Sequence, residues 1–102
     1  MMNGGYVLSE TMIFHFGEKK QARILVESAS RSPFEVTNAK FELRHGSEVE
    51  SSGECTVTKV SDHSYTINAL ISPLIKCTVY DLVFKYTIYP ENLIYPCRVR
   101  VI

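Results

Sequence analysis

Apolar and polar residues alternate with a period of two along most of this chain. That spacing puts one face of an extended strand into a core and the other into water. Residues 11–16 set Met12, Phe14 and Phe16 on one side, and 21–28 set Ala22, Ile24 and Val26 together, with Leu25 interrupting the polar face. Residues 38–44 alternate Ala39, Phe41 and Leu43 against Lys40, Glu42 and Arg44. Cys55 and Val57 lead 54–60, and Tyr65, Ile67 and Ala69 lead 64–70. The longest run, 77–89, aligns Tyr80, Leu82, Phe84, Tyr86 and Ile88. The chain closes on 93–102, with Tyr95, Cys97, Val99 and Val101 inward. The expected core is Ile24, Val26, Phe41, Leu43, Ile67, Tyr80, Leu82, Phe84, Val99 and Val101.

Turn chemistry falls between these runs. Gly17-Glu18-Lys19-Lys20 separates the first two, and Arg31-Ser32-Pro33 breaks the next connection because proline cannot donate to a ladder. His45-Gly46-Ser47 and Ser51-Ser52-Gly53 bracket a short segment that reads as a small edge strand. Ser61-Asp62-His63 reads as a tight hairpin, and Tyr89-Pro90-Glu91-Asn92 as a type I turn. Residues 70–76 are the one stretch able to carry a turn of helix, limited by Pro73. About seven strands at this spacing predict an all-β, antiparallel sandwich or small barrel, as one domain over 11–102 preceded by a flexible segment, 1–10.

Composition narrows the function. The 102 residues carry eleven basic and eleven acidic side chains, a formal net charge of zero. Nucleic-acid binding depends on a basic surplus that this chain lacks. No run approaches the ~20 apolar residues of a membrane span, and no secretory signal opens the chain. The expected location is therefore cytoplasmic, with neither nucleic acid nor membrane as partner. Zero net charge also offers little self-repulsion, which suits a domain inside an assembly. Cys55, Cys77 and Cys97 are odd in number and lack C-x-x-C spacing, so they read as thiols in a reducing compartment; the alternative is one bridge, for which Cys77 and Cys97 on the final strands are the pair to check.

The run Tyr65-Thr66-Ile67-Asn68-Ala69-Leu70, then Pro73, then Cys77 through Phe84, resembles the region between the fifth and sixth strands of immunoglobulin-like and fibronectin type III domains. In those families a tyrosine opening the later strand bonds back to upstream backbone, and Tyr80 occupies that place. The interval from Leu70 to Tyr80 is longer than usual, and the tryptophan and paired cysteines of antibody domains are missing. A second likeness covers about 11–102. Gly17, Gln21 to Val26, Pro33 and Val36 to Leu43 are similar to the immunoglobulin-like modules of phage tail and baseplate proteins. The resemblance implies a structural or adaptor role within a phage-like particle, without catalytic residues. The alternative is a generic cytosolic interaction domain of the fibronectin type III kind.

Catalytic signals are weak. His15, His45 and His63 are scattered, the glycines fit no phosphate-binding loop, and no serine lies in a G-x-S-x-G context. We therefore expect no enzyme activity, cofactor or metal. One feature departs from an ordinary solvated face. The outward positions of the last two strands mix Val79, Val83, Tyr89, Ile94 and Ile102 with Asp81, Lys85, Arg98 and Arg100. Contiguous exposed apolar residues mark interfaces. Val79, Val83, Tyr89, Ile94, Arg98 and Arg100 are thus the candidate contact residues for a protein partner, self-association included, through the face or free edge of the final hairpin.

Overall fold

Each alternating run becomes a strand. The computed structural model describes residues 11–30 and 32–102, so the expected flexible segment 1–10 lies outside the described residues, as does Arg31. The strands are β1 (Thr11–Phe14), β2 (Lys20–Glu27), β3 (Thr37–His45), β4 (Glu48–Glu54), β5 (Thr56–Ser61), β6 (Ser64–Ile71), β7 (Thr78–Ile88) and β8 (Glu91–Val101). They form a five-stranded sheet in the order β1-β8-β7-β3-β4 and a three-stranded sheet in the order β2-β6-β5.

Two expectations are corrected. The strands among the described residues number eight, because 48–54 forms a full edge strand through Ser51-Ser52-Gly53 rather than a stub bracketed by them. Its one large apolar residue, Val49, gave alternation nothing to register. Nor is the pairing wholly antiparallel: β1 runs parallel to β8, Thr11 to Phe14 lying beside Arg98 to Val101.

The inward residues of both sheets share one core. Ile24, Phe41, Leu43, Ile67, Tyr80, Leu82, Phe84, Val99 and Val101 are buried in it as expected, and so is Cys97. Val26 is only partly buried, since it sits near the end of β2, whose one ladder is with β6. Phe16 was expected inward and is 53% exposed. The strand stops at Phe14, the chain turns through Gly17 at φ +92°, and the Glu18 carboxylate accepts from the His15 amide at 2.6 Å.

No helical turn forms over 70–76; β6 runs to Ile71 and a turn at Lys76-Cys77 follows, with Cys77 at φ +57°. The final hairpin also differs from its expected type I turn. Ile88 pairs with Glu91, which leaves a two-residue loop with Pro90 in its second place and the Tyr89–Pro90 peptide cis, the arrangement of a type VI turn. The Asp62-His63 hairpin forms as expected between Ser61 and Ser64.

Between β4 and β5 the chain passes from one sheet to the other at Cys55, whose amide donates to the Ala39 carbonyl at 2.9 Å. Register fixes how β4 meets the core. Leu43 faces Ser51 but Arg44 faces Val49, so Glu50 is the extra residue of a bulge. Its carboxylate turns inward, accepting from the Tyr80 hydroxyl at 2.5 Å and from the Leu74 amide at 3.2 Å. The Tyr80 hydroxyl in turn accepts from the Ile75 amide at 3.0 Å. Three hydrogen bonds thereby hold the β6–β7 loop.

Candidate interaction surface

The outer face of the five-stranded sheet presents side chains in rows, because residues paired across neighbouring strands point the same way. One row runs Ile13, Arg100, Val79; the next runs Thr11, Arg98, Asp81, Arg44, Val49. The third is Pro96, Val83, Glu42, Ser52, and the fourth Ile94, Lys85, Lys40, Glu54.

These rows bring some of the expected contact residues together and leave others apart. Val79 is 54% exposed and touches the Arg100 row, whereas Val83 is partly covered and pairs with Pro96. Ile94, 67% exposed, lies one row from Val83 on the neighbouring strand. Asp81 separates the Val79 end from this central group. Tyr89 is 90% exposed but stands at the hairpin tip, away from the other five. Sequence reasoning missed Ile13 and Pro96. Ile13 alternates out of phase with Met12 and Phe14, which was its one signal; what it adjoins depends on the parallel pairing of β1 with β8.

Charge on this face is partly neutralised. Glu42 accepts from Arg44 at 2.9 Å and lies 3.2 Å from the Lys85 ammonium. The hydrogen bond from Lys85, opposed by partial burial and reinforced by Arg44, holds the Glu42 carboxyl below its ordinary value. Asp81 lies between Arg98 and Arg44 in register and closes an ion pair with neither. An open groove of about 600 Å³ is bordered by Cys77, Thr78, Val79, Arg98, Arg100 and Ile102.

The expected free edge of the final hairpin is not there: β1 pairs with β8 and β3 with β7, so it is the outer face that is open, and of the edge strands β4 and β5 are guarded. Edge strands invite pairing unless bulges or inward charges prevent it. On β4 the bulge at Glu50 and the acidic Glu48 and Glu54 serve that purpose. On β5 the register shifts between Lys59 and Ser61, and Lys59 occupies the inward phase opposite Tyr65.

The thiols lie apart. Thr78 faces Val101 and Leu82 faces Cys97, so Cys77 and Cys97 do not meet across the hairpin. Burial pushes the Cys55 thiol up to about 11, which keeps it protonated and unreactive. No three histidine, cysteine or acidic side chains among the described residues are grouped to hold a metal ion. Among the described residues no helix is long and apolar enough to cross a membrane. No family model matches the chain, and no curated protein matches it.

Proposed function

We propose that this chain is an immunoglobulin-like β-sandwich that acts by protein–protein contact, as a non-catalytic structural or adaptor module. The fold reading is supported by the division into two sheets with one core and by the bond from the Ile75 amide to the Tyr80 hydroxyl. That bond has the form the tyrosine corner requires, a strand-opening tyrosine tied to backbone a few residues upstream.

The observation that carries the functional reading is the outer face of β7 and β8, where Ile94, 67% exposed, lies beside Val83 and Pro96, and Val79, 54% exposed, stands beyond the row of Asp81. Interfaces of this kind bury ~800 Å² per partner and centre on a few apolar anchors within a polar rim. The rim here is Arg98, Arg100, Lys85 and Glu42. In this reading the module is a cytoplasmic building block of a larger assembly of the phage-tail kind, on the likeness carried by Gly17, Gln21 to Val26, Pro33 and Val36 to Leu43. A free-standing interaction domain is the second reading, favoured by the guarded edges of β4 and β5.

The experiment is light scattering on the wild type and Val83→Lys at about 50 μM, with a second copy of the chain as the first partner tested. A wild-type mass above 11.6 kDa that falls to the monomer value in Val83→Lys is the expected result. Two monomers at that concentration would remove self-association through this face.

A further inference from the structure

The geometry points to a partner that presents acidic side chains at alternate positions of an extended segment, received by Arg98 and Arg100. This rests on the proposed contact role of the same face and names the chemistry of its partner.

Three observations carry it. First, the arginine side chains divide. Arg23 donates to the Asn68 side chain at 2.9 Å and Arg44 pairs with Glu42, whereas Arg98 and Arg100 make no hydrogen bond or ion pair among the described residues. Asp81, opposite Arg98 in register, forms no ion pair with it. A planar guanidinium is suited to two-pronged bonding of a carboxylate.

Second, spacing selects the form of the partner. Arg98 and Arg100 are two residues apart on one strand and face the same way, so their backbones are about 6.8 Å apart. An extended segment repeats its own same-face side chains at that interval. Acid-x-acid in extended form therefore meets both arginines without bending either chain.

Third, the surroundings strengthen the pairing. Arg100 is flanked by Ile13 and Val79, both 54% exposed, and the groove beside it runs on to Ile102. Apolar flanks covered by a partner lower the local dielectric and raise the weight of each charge pair.

The test uses the intact chain and a capped peptide, acetyl-Ser-Glu-Val-Glu-Val-Ser-amide, followed by amide and arginine side-chain NMR shifts. Controls are the same peptide with glutamine for glutamate, and inorganic phosphate. Saturable shifts confined to Val79 and 98–102 with the glutamate peptide are expected. Affinity should fall roughly tenfold or more in Arg98→Gln/Arg100→Gln and with the glutamine peptide. The double variant changes exposed side chains, and its amide spectrum checks that the fold persists. Absence of saturable shifts up to millimolar peptide overturns the proposal, as does binding unchanged in the double variant. Phosphate shifts equal to the peptide's also overturn it, leaving a simple anion site. Failure here with a self-association that Val83→Lys abolishes leaves the contact role standing; peptide binding without self-association supports the acidic partner alone.

Discussion

The β7–β8 hairpin and the β4–β5 pair are built on opposite principles. In the hairpin every second residue enters the core, from Tyr80, Leu82 and Phe84 on one strand to Cys97, Val99 and Val101 on the other. Along β4 and β5 no side chain is fully buried. That pair is held by its ladders, the Cys55 amide bond to Ala39, and the inward reach of Glu50 to Tyr80 and Leu74. Gly53 lets the Phe41 ring lie against the backbone, since a Cβ there would come within 3.1 Å of it. One region rests on apolar burial and the other on placed polar bonds, so they should fail differently.

The largest effect is expected in the hairpin. Phe84 is fully buried, and Phe84→Ala should lower the unfolding free energy by roughly 3–5 kcal/mol, measured by denaturant titration. Val57→Ala in β5, at a half-buried site, should cost less than about 1.5 kcal/mol. Equal losses would break the comparison.

Glu50→Ala tests the other principle. It leaves the Tyr80 hydroxyl without its acceptor and the Leu74 amide unbonded, at a cost of about 1–3 kcal/mol. Tyr80→Phe together with Glu50→Ala should cost less than the sum of the two single changes, because they share one bond. Additive losses would show that the bond contributes nothing of its own.

The same division explains what was legible in the sequence. Period two is written by burial, so β2, β3, β6, β7 and β8 were placed within a few residues, along with the inward phase of nearly every core side chain. Burial wrote almost nothing into 48–54, and the bulge at Glu50 cannot be read from residue types. The partner of β1 depends on a long-range choice between sheets that Met12 and Phe14 satisfy either way. The candidate surface followed suit: its residues were readable as outward apolar positions, but their rows, and the addition of Ile13 and Pro96, needed the register.

Two thiols sharpen the comparison further. Cys55 lies at the β4–β5 junction and Cys97 in the core of β8. Exposed Cys77 should react first with a thiol reagent. With its thiol held near 11, Cys55 forms roughly a hundredfold less thiolate at pH 8 than an ordinary cysteine and should lag accordingly. Its labelling should depend weakly on added urea, as local opening does. Cys97 should label only with the steep dependence of global unfolding. Matching slopes would mean that both regions open as one unit.

The smallest expected effect lies on the outer face, where Glu42 on β3 joins Lys85 on β7. Glu42 titrates below its ordinary value of 4.5 in the fold, chiefly because Lys85 donates to its charged form. Unfolded chains therefore bind this proton more readily than folded ones as the pH falls past that value. The resulting stability is complete above the unfolded pKa and is lost as acid takes the pH down through the folded one. Lys85→Gln should raise the Glu42 midpoint in a carboxyl-carbon NMR titration and flatten the decline of the urea midpoint below pH 4.5. Glu18, whose carboxyl is also held low, by the His15 amide, is common to both proteins and cancels in the difference. A Glu42 midpoint unmoved by Lys85→Gln would assign its depression to Arg44. The ion pair that ties β3 to β7 would then lie within β3 itself, leaving the outer face of the hairpin with no charged anchor to its neighbour.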